Sequence, residues 1–458
     1  MEYRIEKDSM GEVQVPVDAL YGASTQRAVE NFPISQHRFG RRFIWALGLI
    51  NGTAATIAGD MGFKGEAVAE AIRAAADEVM AGDHDAQFVL DIFQTGSGTS
   101  TNTNANEVIA ARATTILGEN VHPNDDVNFG QSSNDVIPTA IHISAVSAFS
   151  EDLIPALNRL ADALEVKAIE FADVVKSGRT HLMDATPVTL GQEFGGYATQ
   201  VRNGAERVAR ILPELEELAL GGTAVGTGIN APEGFAPAVI SLMAERSGHG
   251  FREADDHFEA QGAKDAVVNA SGALRTVAVA LFKVANDIRF LGSGPTSGIS
   301  ELRIPTLQPG SSIMPGKVNP VMSEMMMQVA AQVIGNDTAV VWGGANGNFE
   351  LNVMMPVMVH NLLESASLLT NACDTFRERC VAGIEANRER AQELVEKNAI
   401  IVTALNPYIG YDNGARIAKE AVATGRSVRE LVLEGGLMTA EELDEALDIK
   451  KMTEGGLR

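Results

Sequence analysis

Residues 258–291 read FEAQGAKDAVVNASGALRTVAVALFKVANDIRFL, and in this stretch Ala, Val and Leu recur at three- and four-residue spacing. That period is the signature of an amphipathic helix. Four comparable runs surround it. One extends from near Pro138 to Val174. Another opens at Thr186-Pro187, read as an N-cap followed by a first-turn proline, and continues to about Leu218. A fourth opens at Asn319-Pro320 in the same way and reaches about Trp342. The fifth covers Pro356 to Lys397, with Leu362, Leu369, Cys373, Phe376, Cys380 and Ile384 on or near one face. Helices of this length exceed the usual about 11–12 residues, and the economical arrangement is a long antiparallel bundle whose faces continue into subunit contacts.

Around that bundle the pattern changes. Residues 1–134 are mixed, with short apolar runs and polar loops; residues 135–390 carry the helical periodicity; residues 391–458 have shorter helices and more breakers (Pro407, Gly410, Gly435, Gly436). Three domains are expected, in a chain of 458 residues that is 45% apolar and long enough to bury several cores. The beginning, MEYRIEKDSMGEV, is charged and lacks a signal-peptide core. No uninterrupted apolar run approaches the roughly 18 residues of a membrane span, so no membrane association is expected.

Sixty acidic against 36 basic residues leave a net charge of −24. Such a surface repels nucleic acid and acidic membranes. An anionic substrate would therefore need a locally positive site. Cys373 and Cys380 lie about 10 Å apart along a helix, too far for a disulfide, and read as core thiols of a reducing compartment, the cytoplasm. Without a CxxC or HExxH motif, no metal is expected; no cofactor is expected either, since the glycine-rich segments fail as nucleotide sites. Asp83-His84-Asp85 looks metal-like but reads as a solvated turn. Gly96-Ser97-Gly98-Thr99 lacks the third glycine of a dinucleotide fingerprint, and GGTAVGT (221–227) lacks the lysine of a phosphate loop.

Three segments carry chemistry. In GSSIMPGKVNP (310–320), two glycines, two serines and Lys317 precede a helix start, which suits a carboxylate or phosphate. In GRTHLMDATPVTLGQ (178–192), His181 sits in a polar turn and suits a general base near neutral pH, with Glu324 to orient it. The hydroxyl- and amide-rich pair 95–106 and 131–135 offers neutral donors (Ser97, Thr99, Ser132, Ser133, Asn134) for a carboxylate. The turn His122-Pro123-Asn124-Asp125 could hold a second anion.

These segments, with YRIEKDSMGEVQVP (3–16), TQRAVENFPIS (25–35), HPNDDVN (122–128) and GNFELNV (347–353), resemble the class II fumarate hydratases of the fumarase/aspartase superfamily, in the same order and over essentially the whole chain. His181 after Arg179-Thr180 is fumarase-like where aspartases carry Gln, and Gly316 is fumarase-like where aspartases tend to have Ala. Glu119 stands where some fumarases have a basic residue near the second anion site, and Phe129-Gly130 replaces a more polar pair.

The resemblance implies a three-domain, mainly α subunit with a central five-helix bundle, assembling into a homotetramer around a twenty-helix core. Active sites would combine segments of several subunits. It implies reversible, metal-free anti addition of water to fumarate, giving L-malate, a step of the tricarboxylic acid cycle, through an aci-carboxylate intermediate that preplaced charges must stabilise. Ser311 would be the carbon base. Ser312, Lys317, Val318 and Asn319 would hold the carboxylate that gains charge. His181 with Glu324 would handle the water, and Ser97, Gly98, Thr99, Ser132, Ser133, Asn134 and Thr180 would fix the other carboxylate. The rival readings are aspartate ammonia-lyase, opposed by His181, and a non-catalytic relative, opposed by the presence of Ser311, Lys317 and His181 together.

Overall fold

A computed structural model of the chain describes residues 2–454. The described residues are mainly helical, and their strands form five two-stranded pairs. All five expected long helices are present, with ends that differ from the sequence reading.

The first is a continuous helical run, Ser133–Ser147, a π-helical Ala148–Leu153 and Ile154–Glu170. It opens at Ser133 because Ser132 and Asp135 form a capping box, and Pro138 lies inside it. The second begins at Leu190, not Thr186. Thr186 and Pro187 belong to the strand Met183–Thr189. The cap is instead Thr189, whose Oγ1 accepts from Gln192 N (3.0 Å) while Gln192 Oε1 accepts from Thr189 N (2.9 Å), a reciprocal pair that satisfies two otherwise orphaned donors. This helix ends at Ala209, short of Leu218.

The opening stretch is broken in two. His257–Gly262 is a short helix, and Asp265–Leu291 the long one. Lys264 makes the break: its buried ammonium donates to the carbonyls of Ala260 (2.9 Å) and Gln261 (2.8 Å) at the end of the short helix. Burial lowers this lysine's pKa to about 8. The fourth helix is Val321–Gly344. The fifth, Met355–Arg379, stops before Cys380, and Arg388–Glu396 is a separate helix. Both cysteines are buried and free; burial pushes the Cys380 thiol up to about 12, far from the range of a reactive thiolate.

Asp265–Leu291 is the one described helix long and apolar enough by composition to cross a bilayer, with mean hydropathy 1.4, and 56% of that stretch is buried within the protein. Arg275 and Lys283 interrupt its apolar run, which is why the sequence reading passes over it.

The chain divides into two compact units, residues 1–155, 204–278 and 329–370 in one, and 156–203, 279–328 and 371–458 in the other. In the first, the helix Arg41–Asp60 packs on Glu66–Ala81 and on Ser133–Ser147. Its Phe43, Leu47, Leu49 and Ile50 are buried, each a contribution of about 1.5–3 kcal/mol. In the second, Phe171 and Phe194 meet edge-on at 5.3 Å between centroids. Within this unit residues 399–447 bury a cluster of their own, with Leu405, Ile417, Val432 and Leu443 at its centre.

Candidate functional site

The hydroxyl-rich segments, read from sequence as loops, prove to be helix starts. Gly98, at φ 73°, precedes the helix Thr99–Leu117, and Ser132 caps Ser133–Ser147. A chain of hydroxyls joins the two N-termini: Ser97 Oγ lies 2.7 Å from Thr99 Oγ1, which lies 2.7 Å from Ser133 Oγ. Two helix N-termini with converging hydroxyls are a setting that could receive a carboxylate without a cationic side chain. The backbone before it is tightly held. A Cβ on Gly96 would stand 1.8 Å from the Val353 carbonyl oxygen, so only glycine fits there.

Asn134 donates through Nδ2 to the Ala224 carbonyl at 2.8 Å. The glycine-rich 221–227 loop thus braces the second helix start. Asp135, fully buried, completes that brace: it accepts from Ser132 N (2.9 Å), Gly221 N (3.1 Å) and Thr223 N (2.9 Å). Burial raises its carboxyl to about 6 against the pull of those N–H groups, so at neutral pH it is an acceptor for all three. Sequence reasoning left Asp135 out of the site, although Ser132-x-x-Asp135 is a readable capping signature. Asp135→Asn replaces an acceptor oxygen with an NH2 group facing backbone donors. We expect it to cost about 2–4 kcal/mol, read as a lower thermal midpoint, and to weaken substrate binding by loosening the Ser132–Asn134 turn.

The His122 turn in the same unit is π-helical over Pro123–Val127. His122 Nδ1 accepts from Asn124 N (3.3 Å) and Asp125 N (3.1 Å), so the ring caps the turn. Lys64 Nζ approaches, but is bound to Asp125 O (2.7 Å) and Asp126 Oδ1 (2.8 Å). The metal-like triplet is dispersed, His84 against Glu78 and Asp85 in an ion pair with Arg41, and no group of three or more His, Cys, Asp or Glu side chains among the described residues is arranged to hold a metal.

In the second unit, His181 lies in the two-residue turn of a hairpin between Val175–Thr180 and Met183–Thr189, not just ahead of a capped helix. His181 and Leu182 both hold left-handed backbone (φ 57° and 59°). Such turns ordinarily take Asn-Gly, and two non-glycine residues there store strain of a kind that clusters at functional sites. The imidazole is exposed.

The Ser311 loop closes on itself. Gly310 N donates to Lys317 O (2.8 Å), and a Cβ on Gly310 would meet that oxygen at 2.5 Å. Asn319 does not cap the following helix. Its Nδ2 donates to Gly310 O (2.9 Å) and its Oδ1 accepts from Lys317 Nζ (2.6 Å). Ser311 Oγ accepts from Ile313 N (3.2 Å) and Met314 N (3.0 Å). Ser312, Lys317 and Val318 are exposed around it, with Ile313 84% exposed. Glu324, half-buried in the first turn of Val321–Gly344, makes no hydrogen bond or ion pair with His181 among the described residues of one subunit.

The chain matches the sequence model of the Lyase family over residues 11–335 and that of the Fumarase C C-terminus over residues 401–454. It is 56% identical over 455 residues to a class II fumarate hydratase of Mycobacterium tuberculosis, covering 98% of this chain and 96% of that one. A crystal structure of a class II fumarase from Schistosoma mansoni superposes with a TM-score of 0.95 at 38% identity, covering 99% of each chain. A fumarate lyase:delta crystallin from Brucella melitensis, bound to cobalt, also superposes at 0.95, with 44% identity and 99% and 100% covered.

Proposed function

The chain belongs to the class II fumarate hydratases and interconverts fumarate and L-malate, and on that premise we propose which of its residues carry the reaction. In the malate direction a proton must leave the carbon next to a carboxylate, which gains a second negative charge. Ser311 takes that proton. Two backbone N–H groups already converge on its oxygen, and hydrogen bonds to the charged form of an acid favour ionisation; this observation carries the assignment. Lys317, Asn319, Ser312 and the backbone at Val318 receive the carboxylate that gains charge, in a loop whose bonds are formed in advance.

On the opposite face His181 moves the proton of the water or hydroxyl, and Glu324 orients its ring. The two make no bond among the described residues of one subunit, and the Glu324 of each site is assigned to a neighbouring copy. The other carboxylate rests on Ser97, Gly98, Thr99, Ser132, Ser133, Asn134 and Thr180. Neutral donors suffice there because that group gains no charge. His122, Pro123, Asn124 and Asp125 form a second anion site, a weak one, since Lys64 beside it is already paired with Asp126 and Glu119 adds a negative charge.

The protein works as a cytoplasmic homotetramer whose active sites draw on more than one subunit. Phe282, Ile334, Val341 and Trp342, all exposed and apolar on the long helices, provide the faces for that assembly. The three-part division 1–134, 135–390 and 391–458 is proposed as well, and the separate cluster within 399–447 supports its last part alone.

Incubating the protein with fumarate, and with fumarate plus ammonium, tests the activity by NMR. Malate is the expected product in both. Aspartate formed with ammonium would place the protein among the ammonia-lyases, and no product in either would favour a non-catalytic relative.

A further inference from the structure

Arg179, Thr180 and His181 are consecutive, yet their surroundings differ sharply. The turn at His181 is exposed and strained. Two residues before it the chain enters a buried ion cluster. Glu301, fully buried, accepts from Arg179 Nη1 (2.9 Å) and Nη2 (2.8 Å) in a paired fork. It lies 3.3 Å from Lys176 Nζ, whose side chain is 1% exposed and which also contacts Glu193 at 2.7 Å. Two cations face two carboxylates, so the charges balance. A buried ion group of this kind adds little net stability over apolar packing, but a guanidinium–carboxylate fork fixes a plane and an orientation.

Both sides of the fork are anchored. On the hairpin, the strand register shifts between Ser177 and Arg179, and Asn398 ties the two strands by donating to Ser177 Oγ (3.0 Å) and Ala185 O (2.8 Å). On the other side, Ser300 holds φ 55°. Asn387 pins it there, its Nδ2 donating to Ser300 O (2.9 Å) and its N to Glu301 O (2.9 Å). Leu302–Arg303 then pairs with Glu385–Ala386, and the chain continues to Ser311. Glu301 therefore links the strand that leads to the Ser311 loop with the hairpin that carries His181.

We propose that Glu301 is a positioning residue for the hydration: through its paired hydrogen bonds to Arg179 it holds the Thr180–His181 turn in the orientation in which the imidazole meets the reacting oxygen. The proposal rests on His181 being a proton-transfer group. Without the fork the turn is free to relax its left-handed pair, and the ring leaves its place. Misplacement of about 1 Å can cost on the order of 100-fold in rate.

The test uses the full-length protein with Glu301→Gln, which keeps shape and removes the charge, and Arg179→Lys, which keeps charge and removes the fork. His181→Asn is the reference. The readouts are kcat, KM, the pH dependence of kcat/KM, the thermal midpoint, and the His181 ring signal by NMR, assigned by its disappearance in His181→Asn. We expect kcat to fall about 10- to 100-fold in both variants, more than KM rises. The His181 signal shifts, and the limb of the pH profile that His181→Asn removes moves with it. If Glu301→Gln does not fold, Arg179→Lys decides alone, because it keeps a cation against the Glu301 carboxylate. Unchanged kcat overturns the proposal. So does a lower kcat with the His181 signal and pH limb unmoved, which would mark a structural role. A wild-type rate in His181→Asn would instead sink the reading on which the proposal rests.

Discussion

Ser311→Ala lowers turnover in both directions by about 10³- to 10⁴-fold, the range for loss of a positioned proton-transfer group. The subunit fold should survive. The substitution deletes one oxygen and frees two N–H groups, of Ile313 and Met314, in a loop open to water. Hydrating them costs far less than burying them unpaired. The ties that shape the loop, Gly310 N to Lys317 O and Asn319 Nδ2 to Gly310 O, do not involve the hydroxyl. A thermal midpoint near that of the parent is expected, together with lost exchange of the malate carbon proton in D2O. Exchange at a tenth of the parent rate or more would remove Ser311 from the role of carbon base.

His181→Asn is expected to separate activity from stability. Turnover falls about 10²- to 10³-fold as the general acid/base is lost. The fold, by contrast, should hold or gain slightly. Asn adopts left-handed backbone more readily than most residues and is favoured in the first position of this type of hairpin turn, whereas His181 sits there at φ 57°. Function holds a costly residue at a strained position, and removing it relieves the strain. The check is a pair of measurements on one sample, kcat across pH and the thermal midpoint. Loss of one limb of the pH profile at an unchanged or higher midpoint is the expected result. A midpoint that drops with the activity while both limbs of the pH profile remain would mean that the ring supports the hairpin and does no chemistry.

Part of the fold is legible in residue types alone. The 310–320 segment was singled out by its composition, and each of its polar members is engaged or presented in the loop. The five long helices were found by period, because burial of one face leaves a repeat in the chain itself. The ends of those helices were not. Thr186-Pro187 carries a good local start signal, yet the strand partner of Lys176 and Ser177 claims that segment, and the Thr189–Gln192 pair caps the helix three residues later. Asn319 likewise looks like a cap and instead ties the Ser311 loop to Gly310. In both cases a neighbouring chain segment, nine to twelve residues away, competed with the local signal and won.

By itself, the sequence determined the family, the helical architecture and the residue types that can do the chemistry, since motif order, hydrophobic period and side-chain inventory are properties of the chain read in order. Only the tertiary structure decided that the hydroxyl runs stand at two adjoining helix starts, that Asp135 and Glu301 are buried and braced, and that His181 sits in a strained turn. Those facts depend on contacts between residues such as Arg179 and Glu301, 122 positions apart, for which no spacing rule exists: whether a carboxylate is solvated or buried against a guanidinium is settled by what folds over it.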